Sequence, residues 1–425
     1  MNINPVDNYA EAIQKLVRDI RDDVESDLPT DTLSFCDVTN YPPDMQTLVS
    51  AVAAGDIYQT ARSLHEFTGF VANEECMTLL SLAASMGRVD VMELLLRSGQ
   101  EVDGKNTGGE TALHFAASFN RGKAIDCLLK HGANVNAVDN NSMDALNYAV
   151  REPNRVRVIH RLLNAGASIE KGAIELSPLF LSCQLVDCQN TLLLILRRAN
   201  VNSVDSLNRT LLWVICNPDM QHDQHDLNEL FEAARMLIAF GVDVNALDLD
   251  GNHVIHSLML NEHNSSENIL LMLQIFFDLR PDVDLSCRNN NGFTPLHLCV
   301  YMKDDVHVID EEVFIWLLNH GADPTVCDGR GNSVLHHLAS TDFLLPATAV
   351  LNILRQRNIS SSIKNGAGFT PHEMALRRGE VEMAELIFSY SDECTAQRWA
   401  AKTNWGLRIH NTPRTPAKSR FYSRN

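Results

Sequence analysis

The sequence predicts an all-α protein, a solenoid of stacked helix pairs with short β-hairpin fingers. Segments that begin at Thr78, Thr111, Asp144, Ser177 and Thr210 follow one another at equal steps of 33 residues. Each step holds two short stretches with an apolar stripe at helical spacing, and a glycine- and asparagine-rich turn separates the steps. A period in the range of roughly 20–50 residues indicates a repeat architecture.

The series continues with longer steps of 43, 41, 39 and 37 residues, which end at His253, Thr294, Ser333 and Thr370. The additional residues fall between the two helices of a unit, roughly at 217–228, 261–267, 303–310 and 341–348. Two interpretations stay open. These insertions are either permissive loops that have drifted in length, or an acidic rim for a basic partner.

The helices of one unit show why the units stack. In 122–130 the apolar residues Ala124, Ile125, Leu128 and Leu129 form one stripe, and Gly132 ends the helix as a left-handed cap. A single helix pair cannot bury such a stripe alone, so it packs on its neighbours.

These motifs resemble the ankyrin repeat. Thr294-Pro295-Leu296-His297 matches its helix start, "CLLKHGANVN" at 127–136 matches its second helix, and Asp248–Gly251 matches its turn. The resemblance implies about ten units over residues 44–391 with a concave face, and 47–67 is interpreted as a degenerate first unit. Residues 1–43 form an acidic helix and linker, and 392–425 form a basic tail expected to be disordered.

His114 lies between apolar residues at a position that recurs with the repeat, so we interpret it as structural. Thr111 is expected to cap the helix, and the resemblance implies that His114 bonds the backbone of the adjoining finger or repeat. His297 and His336 occupy the same place and receive the same interpretation.

No motif predicts catalysis, a cofactor or a small-molecule substrate. "QHDQHD" at 221–226 could suggest a metal site, but it lies in an insertion where a solvated loop is expected, so no metal is predicted. P-loop, G-x-S-x-G and H-E-x-x-H patterns are absent from the sequence. The flanks of the array are too short for a catalytic domain, and we expect no enzyme.

Composition and charge limit the classes of partner and the cellular compartment that we expect. The net charge of −19 argues against nucleic acid and favours a protein partner with a basic segment. The longest apolar stretch, 269–277, is too short to span a bilayer. Ten scattered cysteines without a C-x-x-C pair, and a start without a secretory signal, favour the cytoplasm, with the nucleus as an alternative.

Both flanks carry features of their own. In 9–24 the residues Tyr9, Ile13, Leu16, Val17, Ile20 and Val24 share one helical face, which either caps the end of the stack or docks a partner, with the cap favoured. In the tail, Thr412 and Thr415 precede prolines among basic residues and are candidate phosphorylation sites.

Partners of ankyrin repeats usually contact the fingers and the ends of the inner helices, so the resemblance assigns candidate partner-binding residues. On the fingers these are Asn140, Asn141, Met143, Leu249, Asp250, Asn290, Asn291, Phe293 and Arg330. On the helix ends they are Phe119, Arg151, Tyr301 and Met302. Asn136 and Asn245 match the asparagine that is hydroxylated in some family members.

The favoured function is a non-catalytic interaction module or scaffold. A first alternative is a substrate-recognition adaptor of a ubiquitin ligase, which needs a docking motif that the tail does not show. A second alternative is an acidic inhibitor-like regulator that masks a basic segment of a transcription factor. The charge permits this second alternative without requiring it.

Overall fold

The described chain is built mainly from short helices. The computed structural model of the protein describes residues 10–21, 43–66, 78–170, 177–217, 227–261, 264–300, 302–303, 306–307, 310–340 and 344–390. The chain divides into two compact units, one of residues up to 263 with 271–283, and one of 264–270 with residues from 284 onward. Within the described residues, no helix is both long enough and apolar enough to cross a membrane.

The first helix, α1, is not part of a pair, and the helices after it alternate along the chain as inner and outer helices. In chain order they are α1 Ala10–Arg21, α2 Pro43–Ala54, α3 Ile57–Glu66, α4 Leu79–Ser85, α5 Val89–Arg97, α6 Ala112–Ser118, α7 Gly122–Lys130, α8 Ala145–Val150, α9 Val156–Asn164, α10 Pro178–Gln184, α11 Cys188–Leu196, α12 Leu211–Cys216, α13 Leu227–Ala239, α14 Val254–Leu260, α15 Ser266–Leu279, α16 Pro295–Leu298, α17 Glu311–Asn319, α18 Val334–Leu338, α19 Leu344–Gln356, α20 Pro371–Arg378 and α21 Val381–Tyr390.

Helices of the same kind pack in a row within each unit. In the first unit, α4, α6, α8, α10 and α12 pack in succession, and α5, α7, α9, α11 and α13 do the same beside them. In the second unit, α16, α18 and α20 form one row, and α17, α19 and α21 form the other. The predicted all-α architecture of stacked helix pairs is confirmed.

From α4 onward, each inner helix begins at a polar residue in extended backbone, which is His253 in α14 and Ser, Thr or Asp in the others. Such a residue satisfies the first free N–H groups of the helix. The Thr78 side chain accepts from the Ser81 N–H, and Thr210 accepts from the Trp213 N–H. In α6, the N–H of Thr111 donates in turn to His114 Nδ1 at 3.0 Å. The predicted role of Thr111 at the helix start is therefore confirmed.

His114 is buried and bonds through both ring nitrogens. Nδ1 accepts from the Thr111 N–H, so the ring proton lies on Nε2, which donates to the carbonyl of Met143 at 3.1 Å. His297 repeats the arrangement with Thr294 and the Asn332 carbonyl. His336 does so with Ser333 and the Phe369 carbonyl. The structural interpretation of the three histidines is confirmed: each ties the start of a helix to the following finger.

An Asx residue anchors each finger. Asp139 Oδ1 accepts from the N–H groups of Asn141 and Met143, both at 2.8 Å. The same pair of bonds recurs at Asp205, Asp248, Asn289, Asp328 and Asn365. Val138 and Asp144 close the finger with a single antiparallel bridge. The fingers are thus narrower than the β-hairpins predicted, because the Asx side chain supplies bonds that a longer ladder would give.

Neighbouring fingers bond to one another through their backbones. Asn140 N–H donates to the Gly108 carbonyl at 2.9 Å, and Leu249 N–H donates to the Leu207 carbonyl at 3.0 Å. In the second unit, Gly329 N–H donates to the Asn291 carbonyl at 2.9 Å. Each finger therefore fixes the position of the next one in its unit.

The longer steps are only partly loops. The outer helices α13, α15 and α19 have 13, 14 and 13 residues, against 9 in α7. Some of the additional residues therefore extend a helix, because that buries apolar surface and satisfies the backbone. In the insertion at 303–310, Met302–Lys303 (β1) pairs antiparallel with Val306–His307 (β2), where the sequence indicated a loop.

The first helix does not cap the end of the stack. α1 packs against the outer helices α9 and α11, and Leu16 is buried. Arg157 Nε donates to the backbone carbonyl of Asp19. The expectation of an N-terminal cap is wrong, because α9 and α11 offer a surface that receives this helix.

We expect His114→Ala to lower the free energy of unfolding by about 1–3 kcal/mol, because it leaves a buried N–H and a buried carbonyl without their partner. His114→Asn should cost less, since Asn147 Oδ1 accepts from the Asp144 N–H at 3.1 Å at the corresponding place. Urea denaturation followed by circular dichroism measures both. The exposed His131 provides the control. Equal losses for His131→Ala and His114→Ala would contradict the assigned role.

Acid should destabilise the protein through these histidines. Burial, with the nearby His337, lowers the pKa of His297 to about 4, against about 6.5 in an unfolded chain. The unfolded state therefore binds more protons between these values. The contribution of neutral His297 is complete above about pH 6.5 and is lost as the pH falls towards 4. Urea midpoints at several pH values should show a shallower decline for His297→Asn, and an unchanged decline would refute this origin.

Gly292→Ala should destabilise the second unit more than Gly321→Ala. Both glycines have positive φ, of +79° and +103°, but a Cβ on Gly292 would lie 2.3 Å from the Gly329 nitrogen, whereas one on Gly321 meets nothing within 4 Å. Each substitution costs about 1 kcal/mol for backbone strain, and the finger contact adds at least about 1 kcal/mol at Gly292. Urea denaturation compares the two, and equal losses would show that the close approach is relieved without cost.

Candidate functional site

The tips of the fingers are exposed as predicted. Asn140 and Asn141 follow the anchor Asp139, and both side chains reach solvent. The same holds for Leu249, Asp250, Asn290, Asn291 and Arg330. Because the Asx bonds and the bonds between fingers fix the backbone, these tip residues present their side chains from a rigid base.

Met143 is not a tip residue. Its side chain is 4% exposed, its N–H donates to Asp139 Oδ1, and its carbonyl accepts from His114 Nε2. Both backbone bonds hold Met143 on the returning arm of the finger, which turns its side chain inward. The expectation that Met143 faces solvent is therefore wrong.

The predicted helix-end residues are only partly accessible. Arg151 is exposed and Phe119 is half-buried. Phe293 is also half-buried, with its ring centroid 5.5 Å from that of His337 and 6.1 Å from that of His297. Tyr301 and the side chain of Met302 lie outside the described residues.

Sequence reasoning missed two apolar residues beside Leu249. Leu207, Leu247 and Leu249 are 48%, 42% and 62% exposed, and they lie on adjacent fingers of the first unit. The Leu249 N–H donates to the Leu207 carbonyl, and Asn208 Nδ2 donates to the Leu247 carbonyl, so the two fingers are joined. We call these three residues the leucine patch. The sequence pattern could have indicated Leu207, because it occupies the finger-tip position that Asn141 occupies in another repeat.

Exposed acidic groups accompany the leucine patch. Asp250 follows Leu249 at the finger tip, and Asp243 is exposed at the base of the same finger. The nearby cation Arg209 is paired with the buried carboxylate of Asp205 and lies over the Trp213 ring, 4.3 Å from its centroid. The charge available to a partner on these two fingers is therefore mainly negative.

The finger bases hold polar groups that are already paired. The Tyr148 hydroxyl lies 2.7 Å from Glu110 Oε1 and 2.9 Å from Asp139 Oδ2; burial, then these carboxylates, raises the pKa of Tyr148. His337 Nε2 lies 2.9 Å from Asp328 Oδ2 at the equivalent place. Burial raises the pKa of Asp328, but hydrogen bonds from His337 and Asn332 outweigh it and hold that pKa below its usual range. These contacts support the fingers.

Asn136 and Asn245 bridge successive repeats. Asn136 Nδ2 donates to the Gly166 carbonyl at 3.1 Å, and its Oδ1 accepts from the Ser168 N–H at 2.9 Å. Asn245 Nδ2 donates to the Asp282 carbonyl at 3.3 Å. Their amide groups thus have a structural role, and their modification stays a prediction.

Among the described residues, no three His, Cys, Asp or Glu side chains form a group that could hold a metal ion. His222, Asp223, His225 and Asp226 of "QHDQHD" lie outside that part of the chain, as do Thr412 and Thr415 of the tail.

Comparisons with known proteins agree with this geometry. Models of the ankyrin repeat match residues 80–173, as three copies, and residues 291–329. A putative ankyrin repeat protein of Rickettsia felis is 31% identical over 118 residues, which are 27% of this chain and 50% of the relative. NF-kappa-B inhibitor alpha of Sus scrofa is 28% identical over 152 residues, which are 35% of this chain and 45% of the relative.

A solved structure matches the chain at low similarity. The human ASB11 ankyrin repeat domain matches with a TM-score of 0.45 and 20% identity, over 58% of this chain and 100% of that one. The chain spans half or less of the length of the curated relatives it matches. Ankyrin repeats are in general non-catalytic units that bind other proteins. The family models, together with the helix caps and fingers described above, show that the chain contains ankyrin repeats.

Proposed function

We propose that this protein is a non-catalytic binding module that holds a segment of another protein against the fingers of its first unit. The leucine patch, Leu207, Leu247 and Leu249, carries the proposal. Three large apolar side chains, each 42% exposed or more, stand together on two joined fingers. Exposed apolar groups that cluster on a surface mark interaction sites.

The free energy available at this patch suits specific binding. Full burial of one leucine side chain contributes roughly 1.5–3 kcal/mol, so three leucines supply several anchors for a partner. The joined fingers hold these anchors before the partner arrives, which lowers the entropy lost on binding.

The partner's chemistry follows from the charge beside the patch. Asp243 and Asp250 are exposed there, whereas Arg209 is already paired with Asp205. A segment with apolar residues for the leucines and Lys or Arg for the carboxylates is complementary in both respects. This supports the inhibitor-like alternative in its coarse form, and the similarity to NF-kappa-B inhibitor alpha is consistent with it.

The ubiquitin-ligase alternative stays a prediction. It depends on a docking motif, and the tail at 392–425 lies outside the described residues. No observation within the described part of the chain favours it over a simple binding module.

Replacement of Leu207 and Leu249 by serine should weaken partner binding at least tenfold, which corresponds to about 1.4 kcal/mol. The measurement is quantitative affinity capture from a native lysate with the full chain, followed by titration of the recovered partner. Leu271→Ser is the matched control, since Leu271 is also exposed in the first unit but lies on α15. Stability should be unchanged in both variants, because all three leucines are at the surface.

The same titration also tests whether the partner carries positive charge. Binding should weaken as salt rises, because the Asp243 and Asp250 contacts with a basic partner are screened. A partner retained equally by the double variant and by Leu271→Ser would place the binding surface elsewhere.

A further inference from the structure

The outer helix α11 departs from its neighbours on one side. The backbone bonds Ala133 N–H to the Leu128 carbonyl and Ala199 N–H to the Leu194 carbonyl align α7 with α11, so that Leu192 corresponds to Asp126. Equivalent bonds in α5 and α13 align Glu93 and Arg235 with the same position. The same bond in α9, from the Ala167 N–H to the Leu162 carbonyl, aligns His160. This position is therefore charged in α5, α7 and α13, a histidine in α9 and apolar in α11.

This apolar position is nevertheless buried. Leu192 is 2% exposed, whereas Asp126 is exposed in α7. Six consecutive residues of α11, from Asn190 to Ile195, are buried, which is typical of a helix covered on all sides. The neighbouring repeats leave this side open in α7, so a further element covers it in α11.

The helix α1 packs on this part of the array. It packs against α9 and α11, and Leu16 is 3% exposed although its neighbour Val17 is 39% exposed. Leu16 therefore faces the array and Val17 faces solvent. We call the side of α9 and α11 beneath α1, marked by Arg157 and Leu192, the outer face.

Charge complementarity accompanies the apolar contact. Arg157 Nε donates to the Asp19 carbonyl in the last turn of α1, where the helix dipole is negative. Arg197 adds further positive charge after α11, whereas Arg161 on α9 is already paired with Asp126 of α7. In the sequence, α1 is followed by Asp22, Asp23, Glu25 and Asp27. The outer face thus combines an apolar centre with basic groups, and it receives an amphipathic helix with acidic residues behind it.

The contact is also small enough to exchange. A 12-residue helix is marginal by itself in water, so α1 depends on its docking for its structure. Residues 22–42 connect α1 to α2 in the sequence, and tethering a segment to its binding surface gives it an effective concentration of up to about the millimolar range. A partner helix of higher affinity can therefore displace α1.

We propose that the outer face is a second protein-binding site, closed in cis by the chain's own α1, and that its partner is an amphipathic helix with an apolar stripe and an acidic C-terminal flank. It lies on α9 and α11, so it is independent of the leucine patch. Displacement of α1 makes this face accessible without any rearrangement of the repeats.

The test uses the full chain and a fluorescein-labelled peptide of residues 8–27. Leu16→Asp should release α1, so that the amides of 10–21 lose protection from hydrogen exchange and the peptide binds at least tenfold more tightly than to the wild type. Val17→Asp makes the same change of charge on the exposed side and should behave as the wild type. Leu16→Ala serves as a milder variant that gives an intermediate result.

A substitution on the array completes the test. Leu192→Asp places on α11 the residue type that α7 carries at this position, which the repeat accommodates, and combined with Leu16→Asp it should abolish peptide binding. The proposal is overturned if the amides of 10–21 are unprotected in the wild type, if Leu16→Asp binds no peptide, or if Val17→Asp binds it equally well. A wild-type dimer that Leu16→Asp dissociates in light scattering would show a second copy as the source of the helix, and would overturn closure in cis.

Discussion

The capping of the inner helices is the interaction on which the rest of the structure depends. In α6 one buried side chain, His114, accepts the N–H of Thr111 and donates to the Met143 carbonyl. The first bond fixes the start of a helix, and the second fixes the finger that follows it. Because this ring is neutral and buried, its two bonds form without the desolvation of a charge. Repetition of the arrangement at His297 and His336 gives the second unit the same link between core and fingers.

A backbone fixed in this way leaves the tips of the fingers free to vary. Asp139 and its equivalents hold each turn, and hydrogen bonds between fingers hold their spacing. The Asx bonds and the backbone bonds do not use the side chains at the two tip positions, although Asn140 Nδ2 also donates to the Thr107 carbonyl at 2.8 Å. These side chains can therefore differ in chemistry from one finger to the next. Asn140 and Asn141 are polar there, whereas Leu207 and Leu249 are apolar. The leucines are therefore better explained by a partner than by folding.

What the sequence predicts well is what the repeat enforces locally. The helix starts, the left-handed Gly132 and the structural role of the recurring histidines all follow from the chemistry of one repeated unit. Met143 was misplaced because the tip and the returning arm of a finger are only two residues apart, and only the Asp139 and His114 bonds distinguish them. The position of α1 could not be read from its own stripe, since an apolar face does not specify which surface receives it.

Positions where one repeat differs from the others are informative, because the stacking of the repeats does not require the residues found there. Leu192 replaces the polar or charged residue of the outer helices α5, α7, α9 and α13, and Leu207 and Leu249 replace polar finger tips. An exposed leucine brings the fold no stabilisation, whereas one covered by another helix does. Leu192 is 2% exposed on a helix that α1 packs against, whereas Leu207, Leu247 and Leu249 are 48%, 42% and 62% exposed. The same kind of departure is thus buried on the outer side of the first unit, and on the fingers it forms the surface that we propose for a partner.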